Sequence, residues 1–276
     1  MSTWTPAGPA ILFTPADRPD RFAKAIDRAD MVILDLEDGC QPHNREEARR
    51  AIESCELDPS RVIVRINPPS STDGALDLAC VSKTNFRQVM VSKAEGAQDI
   101  QAVSAVLADA HIIALIETPL GVLRADEVAA TNGVVAMFWG AEDLVAGLSG
   151  TASRHKDGSY RDVAKHARAR VQLAAAAFGK AALDSVFVDI PNTEGLSTEA
   201  EDAAALGYAA TVCIHPSQVD AIRAAYQPTP EQLDWATRLL KEAQQHRGAF
   251  RFEGQMVDEP LFRQAQAILS RAHAES

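Results

Sequence analysis

Glu117 and Asp143 are the residues through which this chain can do chemistry. Glu117 ends the apolar run 112–116, IIALI, and Thr118, Pro119 and Gly121 follow it and break a strand. Five apolar residues without alternation read as a strand buried on both faces. A carboxylate at the end of such a strand is costly unless it is paired, protonated or bound to a metal. The next apolar run, 134–139, leads into GAEDL and carries Glu142 and Asp143 just past its end. Two successive buried strands thus deliver acids to one rim. Oxygen ligands with few histidines and cysteines suit Mg2+, with Mn2+ as the alternative, better than Zn2+ or copper. Magnesium often takes only one or two protein carboxylates and leaves its other positions to water and substrate, so Glu117 and Asp143 are the expected metal pair. Arg65, near the end of RVIVRI, offers a permanently charged planar fork to a carboxylate or an enolate oxygen. A cation and a guanidinium facing one oxygen stabilise an enolate, which points to making or breaking a carbon–carbon bond beside a carbonyl.

Each rim residue also has a plainer reading. Glu117 alone can accept backbone N–H groups or pair with Arg65; Asp143 on the adjacent strand favours the metal. Glu142 is the weaker ligand, because neighbours in an extended segment point opposite ways. Asp35, Glu37 and Asp38 crowd the end of LDLEDG, and at least one is expected to order metal-bound water or pair with a rim arginine. Arg18 either caps a neighbouring segment or binds a phosphate or carboxylate. Lys93 is open between a Schiff base, an anion ligand and a salt bridge. His215 is open between a structural and a catalytic role, and Asp189 reads as structural.

These residues need elements to hold them on one rim. Strands are expected over 9–13, 31–36, 61–66, 88–92, 112–116, 134–139, 185–190 and 210–214. Helical spacing falls between them, as in 97–108, where Ile100, Val103, Val106 and Leu107 share a side. Strand–helix alternation implies parallel strands with right-handed crossovers, and eight repeats point to an α/β fold, a closed (β/α)8 TIM barrel. No glycine-rich dinucleotide fingerprint follows the first strand, which disfavours an open doubly wound sheet. The polar residues gather at the carboxyl ends of the strands, where barrels keep their chemistry. Residues 1–226 are assigned to the barrel and 227–276 to a C-terminal extension, with helices over 230–245 and 259–272 around a loop at 248–258.

Bulk properties set outer limits. The 276 residues are 46% hydrophobic, enough for one large core. A net charge of −11 argues against nucleic acid and anionic membranes as partners. Four cysteines without CxxC spacing argue against zinc. With no signal peptide or apolar span in the sequence, a cytoplasmic enzyme is expected.

PADRPDRF, VILDLEDG, VIVRIN, ALIETPLG, GAEDL, CIHPSQ and FEGQMVD, in this order, resemble the citrate lyase β-subunit-like (CitE-like) proteins of the HpcH/HpaI aldolase superfamily. The likeness is greatest to their stand-alone mycobacterial type, and runs from about residue 10 to the end. The resemblance implies a (β/α)8 barrel, a homotrimer, and Mg2+-dependent cleavage of a short 3-hydroxyacyl-CoA to an acyl-CoA and a keto acid through an enolate. Citramalyl-, malyl- and 3-hydroxy-3-methylglutaryl-CoA are the substrate types. It further implies that Glu117 and Asp143 hold the metal, that Arg65 binds the substrate's oxygens, and that Arg18 lines the acyl-CoA site. Asp38 is implied as an acid near the metal waters. Asp258 is implied as a proton-transfer group supplied to the neighbouring subunit, which makes the extension a lid. The alternatives are a malyl-CoA thioesterase or malate-synthase-like activity, and a catalytically weak acyl-CoA-binding protein.

Overall fold

The computed structural model describes residues 4–246 and 248–273. Eight parallel strands pair each with the next: β1 Ala10–Pro15, β2 Met31–Asp35, β3 Val62–Ile66, β4 Gln88–Val91, β5 His111–Ile116, β6 Val134–Trp139, β7 Ala181–Asp184 and β8 Ala210–Cys213. The pairing of Ala10 with Thr211 and Leu12 with Cys213 joins β8 to β1 and closes the barrel. This is the (β/α)8 architecture expected from the alternation.

The seventh strand is not where its composition suggests. Residues 185–190, SVFVDI, are rich in strand formers but carry no strand, while AALD at 181–184 does. Its place in the barrel outweighs the weak intrinsic preference of Ala and Leu for strands. The acid at this strand's end is therefore Asp184, which is buried, and not the exposed Asp189.

Strand side chains alternate between the barrel's interior and the helices outside. Ile33, Ile63, Met90, Ile113, Leu115 and Phe138 fall on the inward set, fully or nearly buried, and pack into one cluster. Burying each such side chain contributes about 1.5–3 kcal/mol, so the interior is a solid core. At its amino-terminal foot the Trp4 indole donates to Gln88 Oε1 (2.9 Å), and Gln88 Nε2 donates to the Ser60 carbonyl (2.8 Å). Two residues further along the inward parity, the same strands carry polar groups: Asp35 above Ile33, Arg65 above Ile63 and Glu117 above Leu115.

Local chemistry sets the helix starts. Thr118 accepts a hydrogen bond from the Gly121 N–H (3.0 Å) and caps the short helix Pro119–Leu123, so Thr-Pro starts a helix as well as ending a strand. Ser71 and Asn192 cap the helices Thr72–Val81 and Thr193–Leu206 in the same way. GAEDL is helical: Ala141–Gly147 is a helix with Glu142 and Asp143 in its first turn, not an extended segment.

The chain divides after Ile222 into two compact units. The second contains the helices Pro230–Ala243 and Glu259–His273. Between them in sequence lies an antiparallel hairpin, β9 Phe250–Phe252 and β10 Gln255–Val257, where a loop was expected. Glu253 and Gly254, both at positive φ (46° and 85°), form its two-residue turn. Ala236, Leu239, Phe250, Val257 and Ala265 make this unit's own core. Among the described residues no helix is long and apolar enough to cross a membrane.

Candidate active site

At the carboxyl-terminal mouth of the barrel a cavity of about 380 Å3 is lined by Asp35, Asp38, Arg65, Glu117, Glu142 and Asp143. The apolar part of its wall includes Phe13, Leu115, Phe138, Val186 and Ile214.

Arg65 is built in firmly. Its backbone pairs with Asp35 across β2 and β3, and its side chain forks onto the same residue, with Nε to Oδ1 and Nη2 to Oδ2 both at 2.6 Å. Nη1 reaches Glu37 Oε2 at 3.1 Å, and the guanidinium lies 4.7 Å from the centre of the Phe13 ring. Asp35 also accepts the backbone N–H groups of Glu37 (2.9 Å) and Gly39 (2.8 Å). All four of these bonds fall on one buried carboxylate, so Asp35 orients the arginine and shapes the LEDG turn together. Gly39 is required there, because a Cβ would stand 2.2 Å from Asp35 Oδ2. Sequence crowding implied that at least one of these acids orders metal-bound water or pairs with a rim arginine; Asp35 and, through Nη1, Glu37 pair with Arg65.

Glu117 is 3% exposed. Gly140 makes room for it, since a Cβ there would lie 2.9 Å from Glu117 Oε2. Burial, reinforced by the neighbouring Asp143 carboxylate, pushes the Glu117 carboxyl up to about 8. Burial also raises the carboxyl of Glu37. Lys93 stands among these acids. Its ammonium pairs closely with Glu37 and lies 3.1 Å from Asp38, 3.5 Å from Asp143 and 3.9 Å from Glu117. Burial opposes the lysine's charge, but its hydrogen bond to Glu37 and the Glu117 and Asp143 carboxylates outweigh it and hold Lys93 above the usual lysine range. Of the three readings of Lys93, its contacts are those of the salt bridge.

Five carboxylates, Asp35, Glu37, Asp38, Glu117 and Asp143, thus lie within ion-pairing reach of two cations, Arg65 and Lys93. The site is short of positive charge. Among the described residues no cluster of three or more His, Cys, Asp or Glu side chains forms a ready metal cage. A pair of hard oxygen donors already facing a cationic nitrogen is nevertheless what magnesium accepts, with water and substrate completing its shell. Glu117 and Asp143 fit that ion.

The remaining candidates keep other company, some in the cavity lining and some outside it. Asp38 lines the cavity with a side chain 58% exposed, beside Lys93. Arg18 is outside the cavity lining, half exposed, and forks onto Asp20 at 2.9 Å. Asp258 belongs to the second unit. His215 is structural: its Nδ1 accepts the Ser217 N–H and helps cap the turn Pro216–Gln218. Glu142 turns to the loop that follows, accepting from Ser153 Oγ at 2.6 Å. Sequence reasoning missed Ser185 and Val186 in the cavity, because the misplaced seventh strand hid them; the inward parity of β7, read from Leu183, reaches Ser185.

Residues 10–216 match the HpcH/HpaI aldolase/citrate lyase family. The chain is 52% identical over 266 residues to the citrate lyase subunit beta-like protein of Mycobacterium tuberculosis, covering 96% of each. It is 30% identical to the mitochondrial citramalyl-CoA lyase of Mus musculus, over 95% of this chain and 85% of that one. The crystal structure of CitE from M. tuberculosis in complex with magnesium, acetoacetate and coenzyme A superposes with a TM-score of 0.92 at 51% identity, covering 96% of this chain and 98% of that one. With the closed barrel and the acid-rich mouth in place, these likenesses settle the lineage: the chain belongs to the HpcH/HpaI aldolase/citrate lyase family.

Proposed function

We propose that this protein is a magnesium-dependent carbon–carbon lyase. Its substrate is a short 3-hydroxyacyl-CoA, which it splits into an acyl-CoA and a 2-keto acid. The observation that carries the reading is the single cavity where the Glu117–Asp143 pair, the Arg65 fork and an apolar wall meet. The magnesium- and coenzyme A-bound M. tuberculosis structure supports the choice of ion and of thioester.

Glu117 and Asp143 hold the ion. A bound magnesium supplies Lewis-acid polarisation of the substrate's oxygens. Cleavage takes the proton from the 3-hydroxyl, turns that carbon into the ketone of the keto acid, and leaves the bonding electron pair on the thioester fragment as an enolate. Arg65 is oriented by Asp35 with Nη1 turned away from that fork, and its charge stabilises the enolate oxygen. Protonation of the enolate carbon then gives the acyl-CoA. Asp258, entering from a neighbouring copy in a homotrimer, is the proposed proton-transfer group, and the 227–276 extension is its lid. Asp38 is proposed to order water beside the ion, and Arg18 to meet the CoA moiety.

The wall favours a methyl branch. Among the described residues that line the cavity, Arg65 is the one cationic side chain, and Asp35 already occupies its fork. A citramalyl-type methyl suits Phe13, Phe138, Val186 and Ile214, whereas a carboxymethyl branch would add a negative charge to a mouth already rich in carboxylates. The test is to incubate the protein with citramalyl-, malyl-, citryl- and 3-hydroxy-3-methylglutaryl-CoA, with Mg2+ or EDTA, and to identify products by mass spectrometry. Metal-dependent acetyl-CoA and pyruvate, formed fastest from citramalyl-CoA and lost in Asp143→Asn, is the expected result. Free CoA as the main product makes the protein a thioesterase. Binding without turnover makes it a binding protein.

A further inference from the structure

Lys93 has no part in the reaction described above, yet it stands among four of the acids at the mouth. It stands two residues past the end of β4, with φ at 51°, in the left-handed region that non-glycine residues seldom enter. Its backbone N–H donates to Glu117 Oε1 at 3.1 Å. Its ammonium pairs with Glu37 and Asp38 on one side and lies within 4 Å of Asp143 and Glu117 on the other. One side chain therefore spans two groups of acids, one expected to hold the ion and one not. Outliers of this kind persist only where the surroundings over-determine them, and they cluster at working sites.

We propose that Lys93 is a resident counter-cation that competes with the divalent ion for Glu117 and Asp143. In the metal-free protein the ammonium offsets the repulsion among the ionised acids around it and keeps their side chains converged. When the ion arrives the ammonium withdraws from Asp143 and Glu117 and stays with Glu37 and Asp38, the partners it already holds more closely. Lys93 thereby weakens metal binding and in exchange preserves the site's shape when the metal is absent. The inference rests on Glu117 and Asp143 being the metal pair.

The test compares wild type with Lys93→Met, which keeps the aliphatic stem and removes the charge, and with Lys93→Arg, which keeps the charge. Magnesium binding is followed by calorimetry, and thermal unfolding is measured in EDTA and in saturating Mg2+. Removing a unit charge about 4 Å from the ligands should tighten magnesium binding about tenfold or more. Lys93→Met should also melt lower than wild type in EDTA and recover in Mg2+, while Lys93→Arg binds no more tightly than wild type. Unchanged or weaker binding by Lys93→Met, with the same loss of melting temperature in both buffers, would overturn the proposal and leave Lys93 an ordinary salt bridge. A wild type whose magnesium binding survives Asp143→Asn would instead remove the metal pair itself, which is a separate result.

Discussion

Glu117→Gln should make the metal-free protein more stable while destroying its activity. An unfolded chain releases the proton of this carboxyl near its ordinary value of 4.5, whereas the folded protein holds it up to about 8. Because the folded value is the higher one, the site's contribution to stability is complete below pH 4.5 and is lost as pH rises towards 8. At about 1.4 kcal/mol per pH unit, the loss reaches about 3 kcal/mol by pH 7. Glutamine is nearly isosteric with the protonated acid and does not titrate, so it escapes this loss. The assay is urea unfolding of both proteins in EDTA at pH 5, 6, 7 and 8, taking the difference between them so that other titrating groups cancel. That difference should widen in the variant's favour by about 3 kcal/mol between pH 5 and pH 8. Added Mg2+ should then stabilise wild type but not the variant. A difference that stays flat with pH would mean that Glu117 ionises like a surface glutamate, and the charge argument for the metal site would fall with it.

Three further outcomes follow from the same geometry. Asp35→Asn removes the charge facing a buried guanidinium and should cost about 3 kcal/mol in urea unfolding; turnover should fall far more than the apparent affinity for substrate, because Arg65 loses its orientation. Ile214→Lys puts a cation on the apolar wall and should shift the ratio of kcat/KM from citramalyl- towards citryl-CoA by about tenfold or more; an unchanged ratio would separate that wall from substrate choice. Asp258→Ala and Arg65→Ala proteins, each inactive alone, should regain part of their activity when mixed and allowed to exchange subunits; no recovery would place the proton-transfer group within its own chain.

Much of the mouth is legible in the sequence because strand parity is simple. Once Ile33, Ile63 and Leu115 are inward, Asp35, Arg65 and Glu117 must be inward too, one layer higher, and no knowledge of packing is needed. What sequence conceals is the company each residue keeps. Asp35, Glu37 and Asp38 look interchangeable as letters, and only the folded LEDG turn assigns the first to Arg65, the last to Lys93 and Glu37 to both. Asp143 reads as part of an extended tail because GAEDL has no proline or capping serine to announce a helix. Seating β7 at AALD was out of reach, since SVFVDI has the stronger strand composition and only barrel closure decides between them.

The plugged foot of the barrel, where Trp4 meets Gln88 beneath a solid interior, makes the reaction chamber a blind alley. Among the described residues, the carboxyl-terminal mouth is then the doorway for traffic in and out. A long thioester that fills this doorway bars the way for whatever small fragment is formed behind it. For the proposed cleavage this geometry predicts sequential departure, the bulky carrier first and the small acid after it, with the small acid entering ahead of the carrier in the reverse direction.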